Sequence, residues 1–497
     1  MDTEGQAVPE ARTSSRLWLV LCVWESRVLG LLLATAFYMS WTSWPLGGVS
    51  ATYRTVCVVG FALFVMLIGR FRYLIETVST RTFLAFAVIG IVGIRLAWIA
   101  AVDTLPASDF DVYHQAATQI AAGDLRMPGI HQGGFPLLLG FAYRLFGADL
   151  LVAKTLNVVA SAATGLLLYG LTSDLVGPKA ARVTVMLFAV WPAQVMMTSI
   201  VATETPYIAF LVLGLAVLIR WRCAGHGPLW LLVAGIAFGT STLVRSTSFV
   251  VFALAATWVF FGPGISRVSR TAGTAALGVG FVVAIGLGRL IAGPAPAGTG
   301  LLSYLGYNVL TGSNPDSHGM WSDEDQALFS EILRERGPDA VPAAVYHIVE
   351  ERITADPSRF ARLMREKFQI MWADDLYGAY WSTARMAPGA TTTFLKSHVE
   401  TLYLISQFFY VGILALAVFG CIRWRGELFP WGNSLMFAIV LTFVGLHSIL
   451  EVQSRYHHPW ALVFLVLSGY GVCEPSIYGR GLRLRFSAAD RRHPSSA

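Results

Sequence analysis

Residues 82–111 of the chain read TFLAFAVIGIVGIRLAWIAAVDTLPASDFD. The first two thirds of this stretch are almost wholly apolar, and they are long enough to cross a hydrocarbon core of about 30 Å as a helix. The run then ends in two aspartates, Asp109 and Asp111, where the helix would leave the membrane. Carboxylates in this position require either a structural or a chemical explanation.

Most of the chain has the same apolar character. It is 55% hydrophobic and only 13% charged over 497 residues, whereas soluble domains carry about 25% charged residues. The short alternating segments of a transmembrane β-barrel are absent. We therefore predict an all-α polytopic membrane protein. About twelve transmembrane helices are expected near residues 27–44, 53–70, 82–102, 149–174, 181–198, 203–220, 228–244, 247–263, 270–291, 401–423, 431–450 and 458–474.

Arginine carries most of the net charge of +6. Such a surplus in a polytopic protein marks cytoplasmic loops and does not indicate nucleic-acid binding. The basic segments that fall on one predicted side are Arg12/Arg16, Arg70/Arg72/Arg81, Lys179/Arg182, Arg220/Arg222, Arg267/Arg270, Arg423/Arg425 and the tail from residue 475. We assign that side to the cytoplasm, in a multi-pass protein of the bacterial plasma membrane. Asp109, Glu204, Arg245 and residues 451–459 then emerge on the extracytoplasmic side.

The chain divides into five predicted parts. These are a cytoplasmic tail with two additional spans (1–81), a transmembrane core that includes a first outer loop at 103–148 (82–292), an extracytoplasmic loop with amphipathic helices (293–400), the C-terminal spans (401–474) and a basic cytoplasmic tail (475–497). Residues 1–16 are expected to be disordered. The five cysteines lack paired spacing, which argues against a disulfide framework or a zinc site. No cleavable signal peptide is evident, so the first helices are expected to stay as anchors.

Three helices are expected outside the membrane. Residues 131–147 are too short and too rich in Gly and Pro for a span, and we interpret them as a helix in the outer interface. Ser322, followed by three acids, suits a helix start. Residues 357–372 place Phe360 and four other apolar side chains on one helical face and arginines on the other, which is typical of an amphipathic helix.

The two aspartates after the first quoted helix have a structural interpretation. Ser108 could be the N-cap and Asp111 the N3 residue of a capping box for a helix that runs to Ala122. Acids are also favoured in the first turn, at the positive end of the helix dipole. This interpretation accounts for Asp111 better than for Asp109, so Asp109 is the stronger candidate for chemistry.

Several other charges lie on the outer side against expectation. Glu204 could simply cap the next span, yet ionisable groups at membrane depth are costly and often mark function. Arg245, Arg455 and Lys154 break the positive-inside rule, although each alone could reach the interface by snorkelling. Together with the carboxylates they indicate an anion site, and arginine suits a lipid phosphate because it can bind it bidentately.

Two adjacent histidines, His457 and His458, do not have the spacing expected of ligands that share one metal ion. The aspartates could supply oxygen ligands for magnesium or manganese. We therefore expect no metal site and no required cofactor, with a divalent cation as the open alternative. No glycine-rich phosphate loop or catalytic triad occurs.

These residues resemble a known family. The chain resembles a C-type (GT-C fold) integral-membrane glycosyltransferase, of the bacterial, protein-mannosyltransferase-like branch of glycosyltransferase family 39. The motifs that carry the resemblance are Asp109 before Tyr113, GFPLLLGFAYRLFG (134–147), TETP (203–206), Leu243-Val244-Arg245, YNVLTGSNP (307–315), DPSRF (356–360) and Arg455-Tyr456-His457. The chain departs from the family pattern in its additional acid Asp111, in the two spans before residue 82 and in RSTS (245–248), which replaces the more usual Arg-Pro.

The resemblance implies an inverting enzyme that uses a polyprenyl-phosphate-linked sugar on the extracytoplasmic side. It implies Asp109 as the general base and Glu204 as a second acidic position. Asp111, the additional acid, is a further catalytic candidate that the family pattern does not supply. The substrate-binding candidates are Arg245, Arg455, Lys154, Tyr113, Tyr456, His457 and His131. The expected partners are the polyprenyl-phosphate sugar donor, membrane lipid, and a glycan, lipid or protein acceptor that the sequence does not identify.

The alternatives belong to other functional classes. A secondary transporter would place ionisable groups near the bilayer midplane, in broken helices of two related halves. Here the unusual charges gather at one surface, and no internal repeat is evident. A flippase or ligase of a lipid-linked substrate and a non-catalytic scaffold also remain open.

Overall fold

A computed structural model describes residues 8–42, 60–61, 77–125, 133–225, 227–292, 301–426 and 428–473. In the first half of this part of the chain the helices are α1 (Val8–Thr42), α2 (Thr80–Ala101), α3 (Asp109–Ala121), α4 (Gly134–Phe146), α5 (Leu150–Val176), α6 (Pro178–Val190), α7 (Pro192–Met196), α8 (Glu204–Ala224), α9 (Leu229–Val244), α10 (Ser248–Phe261) and α11 (Arg267–Ala292). The prediction of an all-α polytopic membrane protein is confirmed.

The second half continues in the same way. Its helices are α12 (Leu301–Gly312), α13 (Asp323–Arg336), α14 (Val341–Ala355), α15 (Pro357–Trp372), α16 (Tyr377–Ala384), α17 (Ala390–Ser397), α18 (Val399–Arg423), α19 (Pro430–Ile449) and α20 (Ala461–Val472). Short 3₁₀ turns occupy Met197–Ser199, Pro338–Ala340 and Ser454–His457. Within the described ranges, the extended pairing is a single bridge between Thr104 and Met386.

Seven of these helices are long and apolar enough to cross a membrane, and the bent pair α6–α7 brings the number to eight. The helices α9, α10 and α20 correspond to three further predicted spans but are shorter than 18 residues. The predicted span 53–70 lies outside the described residues, apart from residues 60–61. The count of about twelve therefore stays a prediction.

Close helix packing explains several of the glycines. A Cβ atom on Gly235 of α9 would lie 2.0 Å from the carbonyl oxygen of Leu277 in α11, and one on Gly280 would lie 2.1 Å from that of Leu232. Small residues let two backbones approach this closely where lipid gives no hydrophobic advantage to larger side chains. These two glycines set the separation of α9 and α11.

Two predictions of element boundaries are wrong. The tail expected to be disordered up to residue 16 is helical from Val8, and α1 continues through Glu25 and Arg27. The predicted span 181–198 is broken between α6 and α7 with a bend of 55°. Pro192 causes this break, because it supplies no backbone N–H and disfavours helical geometry in the residue before it.

The segment between α11 and α18 is helical throughout most of its length. Helices α12, α13 and α14 enclose a small core of their own, formed by Leu310, Phe329, Ile332, Val341 and Val345. The predicted helix start is confirmed, since the Ser322 hydroxyl accepts from the Asp325 amide at 3.4 Å. The amphipathic helix at 357–372 is confirmed as α15.

Candidate functional site

Glu204 is the first residue of α8, and it is 2% exposed. The positive end of the helix dipole favours a carboxylate at this position. Its Oε1 atom accepts a hydrogen bond from Arg245 Nη1 at 2.5 Å, and it lies 3.3 Å from Arg455 Nε. One buried carboxylate therefore meets two guanidinium groups.

The two arginines come from different parts of the fold. Arg245 directly follows α9, where the last carbonyl groups of a helix favour a cation. Arg455 belongs to the 3₁₀ turn Ser454–His457, which connects α19 to α20. The structure thus brings Glu204, Arg245 and Arg455 together, as the sequence analysis expected of its outer-side charges.

Aromatic rings surround the two guanidinium groups. Arg455 Cζ lies 5.0 Å from the centre of the Tyr377 ring and 5.7 Å from that of Tyr456. Arg245 Cζ lies 5.1 Å from the Tyr456 ring and 5.9 Å from the Tyr207 ring. Such cation–π contacts strengthen when water is excluded. The cluster of Glu204, Arg245, Arg455 and these three tyrosines is here called the arginine cluster.

The residues around Arg455 keep its guanidinium group protonated. Burial alone would lower the pKa of Arg455, but the anionic Glu204 beside it helps to hold that pKa well above its ordinary value. Burial also raises the pKa of Tyr377 and, outweighing the nearby arginines, that of Tyr113. The arginine therefore stays protonated, and both phenols stay neutral.

Asp109 lies at the edge of the arginine cluster. It is the first residue of α3, and its Oδ2 atom is 3.7 Å from Arg455 Nη2. Its side chain is 60% exposed, in contrast to 2% for Glu204. The preceding Ser108 has φ 54° and ψ −137°, a conformation that costs energy for any residue with a side chain. The strained residue therefore lies directly before Asp109 in the chain.

The predicted capping box is wrong. Ser108 does flank the helix and Asp111 does occupy the N3 position, but the Ser108 side chain makes no capping hydrogen bond. Asp111 Oδ2 instead accepts from Gln115 Nε2 at 2.7 Å, one turn further along α3. The positive φ of Ser108 turns its backbone out of the extended conformation that an N-cap residue needs. Asp111 is held on the surface of its own helix.

The other candidates make contacts outside the arginine cluster, although Tyr113 also lies close enough to Arg455 and Asp109 to interact with them electrostatically. Lys154 is buried in α5, and its Nζ atom lies 2.9 Å from Oδ1 of Asp103, an acid that the sequence analysis did not single out. Tyr113 is half-buried, and its ring meets Phe135 edge to face at 5.6 Å. His131 lies outside the described residues.

His457 points into a second polar cluster. Its Nε2 atom lies 3.3 Å from Asp375 Oδ1, while His458 Nε2 lies 3.0 Å from the same oxygen. All three residues have no exposed surface. The expectation that adjacent histidines would not converge is wrong, because the 3₁₀ turn sends both rings to the same side.

Sequence reasoning missed Tyr377, Tyr207 and Asp375. A usable signal exists for two of them: the segment WADDLY (372–377) places two acids and a tyrosine in an apolar setting. Tyr207 has the ordinary appearance of an aromatic residue within a span. Its contact with Arg245 depends on how α8 packs against α9.

Comparison with known proteins gives one family match. The family model for dolichyl-phosphate-mannose-protein mannosyltransferase matches residues 134–287. This match confirms the predicted resemblance to GT-C integral-membrane glycosyltransferases. No curated protein sequence matches the chain.

Comparison with solved structures gives matches of low sequence identity. The oligosaccharyltransferase AglB from Archaeoglobus fulgidus, in complex with an inhibitory peptide and a dolichol-phosphate, is 16% identical with a TM-score of 0.44; the match covers 84% of this chain and 52% of AglB. ArnT from Cupriavidus metallidurans, bound to undecaprenyl phosphate, is 12% identical with a TM-score of 0.33; the match covers 83% of this chain and 81% of ArnT. The chain spans about half the length of AglB.

Proposed function

We propose that the chain is an inverting membrane glycosyltransferase. It moves a sugar from a polyprenyl-phosphate donor to an acceptor hydroxyl on the extracytoplasmic face of the plasma membrane. The observation that carries this proposal is the arginine cluster, in which two buried guanidinium groups share one buried carboxylate beside the exposed carboxylate of Asp109. The family match over residues 134–287 supports the same reaction class.

The contacts of the cluster leave one guanidinium group loosely paired. Arg245 and Arg455 carry two positive charges, and Glu204 contacts both of them. The second carboxylate, Asp109, is exposed and lies 3.7 Å from Arg455. A phosphate group suits this loosely paired side of Arg455, because guanidinium groups bind phosphate through charge-assisted hydrogen bonds.

Asp109 is the better of the two carboxylates for the role of general base. Glu204 is buried and paired with two arginines, so protonation would leave their charges uncompensated. Asp109 is exposed and loosely paired, so it can take a proton from an acceptor hydroxyl. General-base assistance of this kind is typically worth about 10²–10⁴-fold in rate.

The reaction needs little else from the protein. The acceptor oxygen attacks the anomeric carbon as Asp109 removes its proton, and the bond to the phosphate oxygen breaks on the opposite face. The departing polyprenyl phosphate is a stable anion, so it requires no general acid. Arg455 and Arg245 stabilise the charge that develops on it. Glu204 holds both arginines in position, and no cofactor is needed.

The transporter alternative rests on buried charges inside the spans. Arg95 is fully buried in α2, but it donates to the carbonyl oxygens of Ala189 and Phe188 at 3.1 and 3.4 Å. These hydrogen bonds supply donors to carbonyl groups at the break between α6 and α7. The Arg95 guanidinium group is therefore engaged in the fold and is not left to bind a transported substrate. The arrangement favours the transferase.

The test is sugar transfer by the purified chain in lipid nanodiscs, with polyprenyl-phosphate mannose among several polyprenyl-phosphate sugars, with and without a chelator. Asp109→Asn should lower the transfer rate by about 10²-fold or more. Asp111→Asn is the matched control, and it should keep most of the rate. Equal rates for Asp109→Asn and the unaltered protein would remove Asp109 from the role of base, and transport of the intact donor without transfer would favour the alternative.

A further inference from the structure

The second polar cluster, formed by Asp375, His457 and His458, has no role in the proposed transfer reaction. Asp375 lies in the connection between α15 and α16, and the histidines end the 3₁₀ turn before α20. One nitrogen or oxygen atom from each residue lies within 4.8 Å of those of the other two. Two segments that are distant in sequence thus bring three donor atoms together in the interior.

Two of the three separations between the donor atoms suit a shared ion, and all three donor atoms lie within 4.8 Å of one another. Asp375 Oδ1 lies 3.0 Å from His458 Nε2 and 3.3 Å from His457 Nε2. Ligands about 2.0 Å from a tetrahedral zinc ion are separated from one another by roughly 3.3 Å. The donor set of two imidazole nitrogens and one carboxylate oxygen is also typical of zinc.

One interaction is unsatisfactory without an ion. Among the described residues, His457 Nε2 is buried without a hydrogen-bond partner, although Asp375 Oδ1 is only 3.3 Å away, because the direction of the contact does not fit a hydrogen bond. The Nδ1 atoms of both histidines are also buried without a hydrogen-bond partner among the described residues.

Neighbouring groups hold the carboxylate in place. Trp191 Nε1 donates to Asp375 Oδ2 at 2.7 Å, which leaves Oδ1 for the histidine side. The Asp375 amide donates to Gln407 at 3.0 Å, and its carbonyl oxygen accepts from Ser406 at 2.7 Å. Partners of this kind orient the ligands of metal sites and raise their affinity for the ion.

The geometry points to a site for one divalent transition metal, zinc by preference, with Asp375, His457 and His458 as its three protein ligands and the fourth position left to a non-protein ligand. The ion would join the segment after α15 to the turn before α20. That turn also carries Arg455, whose guanidinium group faces Glu204 and Asp109. The metal would therefore fix the position of Arg455 without touching the substrate.

The test measures metal content directly. The full chain is purified in detergent through a tag that contains no histidine, washed with a weak chelator and analysed by inductively coupled plasma mass spectrometry. About one zinc ion per chain is expected. Asp375→Asn and His458→Gln should each lower this to below about one tenth. His318→Gln is the control, because His318 is exposed and pairs with Glu366, and it should keep the full content.

A second measurement avoids variants that fail to fold. The unaltered protein is stripped with a strong chelator and titrated with Co²⁺, whose visible absorption reports four-coordinate nitrogen and oxygen ligation; added Zn²⁺ should abolish that absorption. The proposal fails if the unaltered protein contains almost no metal and gives no Co²⁺ absorption. It also fails if His458→Gln, eluting as the unaltered protein does in size exclusion, keeps its full metal content.

Discussion

Glu204 and Asp109 are both the first residue of a helix, and both lie within reach of Arg455. They differ in what surrounds them. Glu204 is enclosed and contacts two cations, whereas Asp109 is accessible and lies 3.7 Å from one of them. The difference arises from burial, because both residues have the same type of side chain and position in their helices.

Glu204→Gln should destabilise the protein strongly, because it leaves two buried arginines without their common counter-charge. Breaking a buried pair typically costs about 3–5 kcal/mol. The matched control is Glu335→Gln, which removes an exposed pair with Arg334 and should cost less than about 1 kcal/mol. Thermal unfolding in detergent compares the two, and equal midpoints would show that the Glu204 pairs contribute little.

Lys367 offers a pH-dependent prediction. Its Nζ atom is buried in α15, where it donates to the carbonyl oxygens of Gly312 and Ser448 at 2.7 and 3.0 Å. Burial, opposed by Glu451, lowers the pKa of Lys367 from 10.5 to about 7. Between these pH values the unfolded chain binds a proton that the folded protein does not. The free energy of unfolding therefore rises with pH, by at most about 1.4 kcal/mol per pH unit.

This linkage is measured against Lys367→Met, which cannot titrate. The unfolding temperature of the unaltered protein, relative to the variant, should increase between about pH 7 and about pH 9. Lys396→Met changes an exposed lysine, and it should leave the pH dependence as it is. A constant difference between the unaltered protein and Lys367→Met across this range would contradict the prediction.

At the scale of elements, the break between α6 and α7 is the most consequential departure from a regular span. Pro192 leaves carbonyl groups at the end of α6 without helical partners, within a layer where water cannot satisfy them. Arg95 of α2 supplies the missing donors to Phe188 and Ala189, and its guanidinium group also lies over the Phe188 ring at 5.1 Å. The bend and the buried arginine are therefore one feature.

Arg95→Met should lower thermal stability, because it removes the donor to the buried Ala189 carbonyl group, and an unpartnered buried carbonyl group typically costs about 1–3 kcal/mol. The control is Arg289→Met, at an exposed position near the end of α11, and it should change the unfolding temperature little. Differential scanning fluorimetry of both variants in the same detergent provides the comparison. A midpoint for Arg95→Met within about a degree of the control would mean that the bend is held by packing alone.

At the scale of the whole molecule, the arginine cluster is built from helix termini and a turn that come from separate parts of the chain. The start of α3, the start of α8, the end of α9 and the turn before α20 meet at the arginine cluster. The positive-inside rule assigns these ends to the extracytoplasmic side. The helical segment α12–α17 belongs to that same side in this assignment.

Sided labelling tests the assignment. Glu331→Cys lies on the exposed surface of α13, and Ser269→Cys lies on the exposed start of α11. In a Cys223→Ser background, a membrane-impermeant maleimide should label Glu331→Cys in intact cells. It should label Ser269→Cys only after permeabilisation. The reverse pattern would invert the topology and move the proposed active site to the cytoplasm.

The sequence by itself determined which segments are helical and apolar. Within lipid every backbone group must be satisfied inside its own segment, so a span is a local property that composition and length reveal. The amphipathic helix α15 and the start of α13 were predictable for the same reason, since face periodicity and capping act within a few residues.

Only the tertiary structure decided which charges meet. Glu204 and Arg245 are 41 residues apart in the chain, and Arg455 comes from a third segment. Lys154 was expected near these charges but pairs with Asp103, and the two adjacent histidines converge on Asp375. Which charged side chains pair depends on how the helices pack and on which side chains they shield from water. The local pattern of residues determines neither.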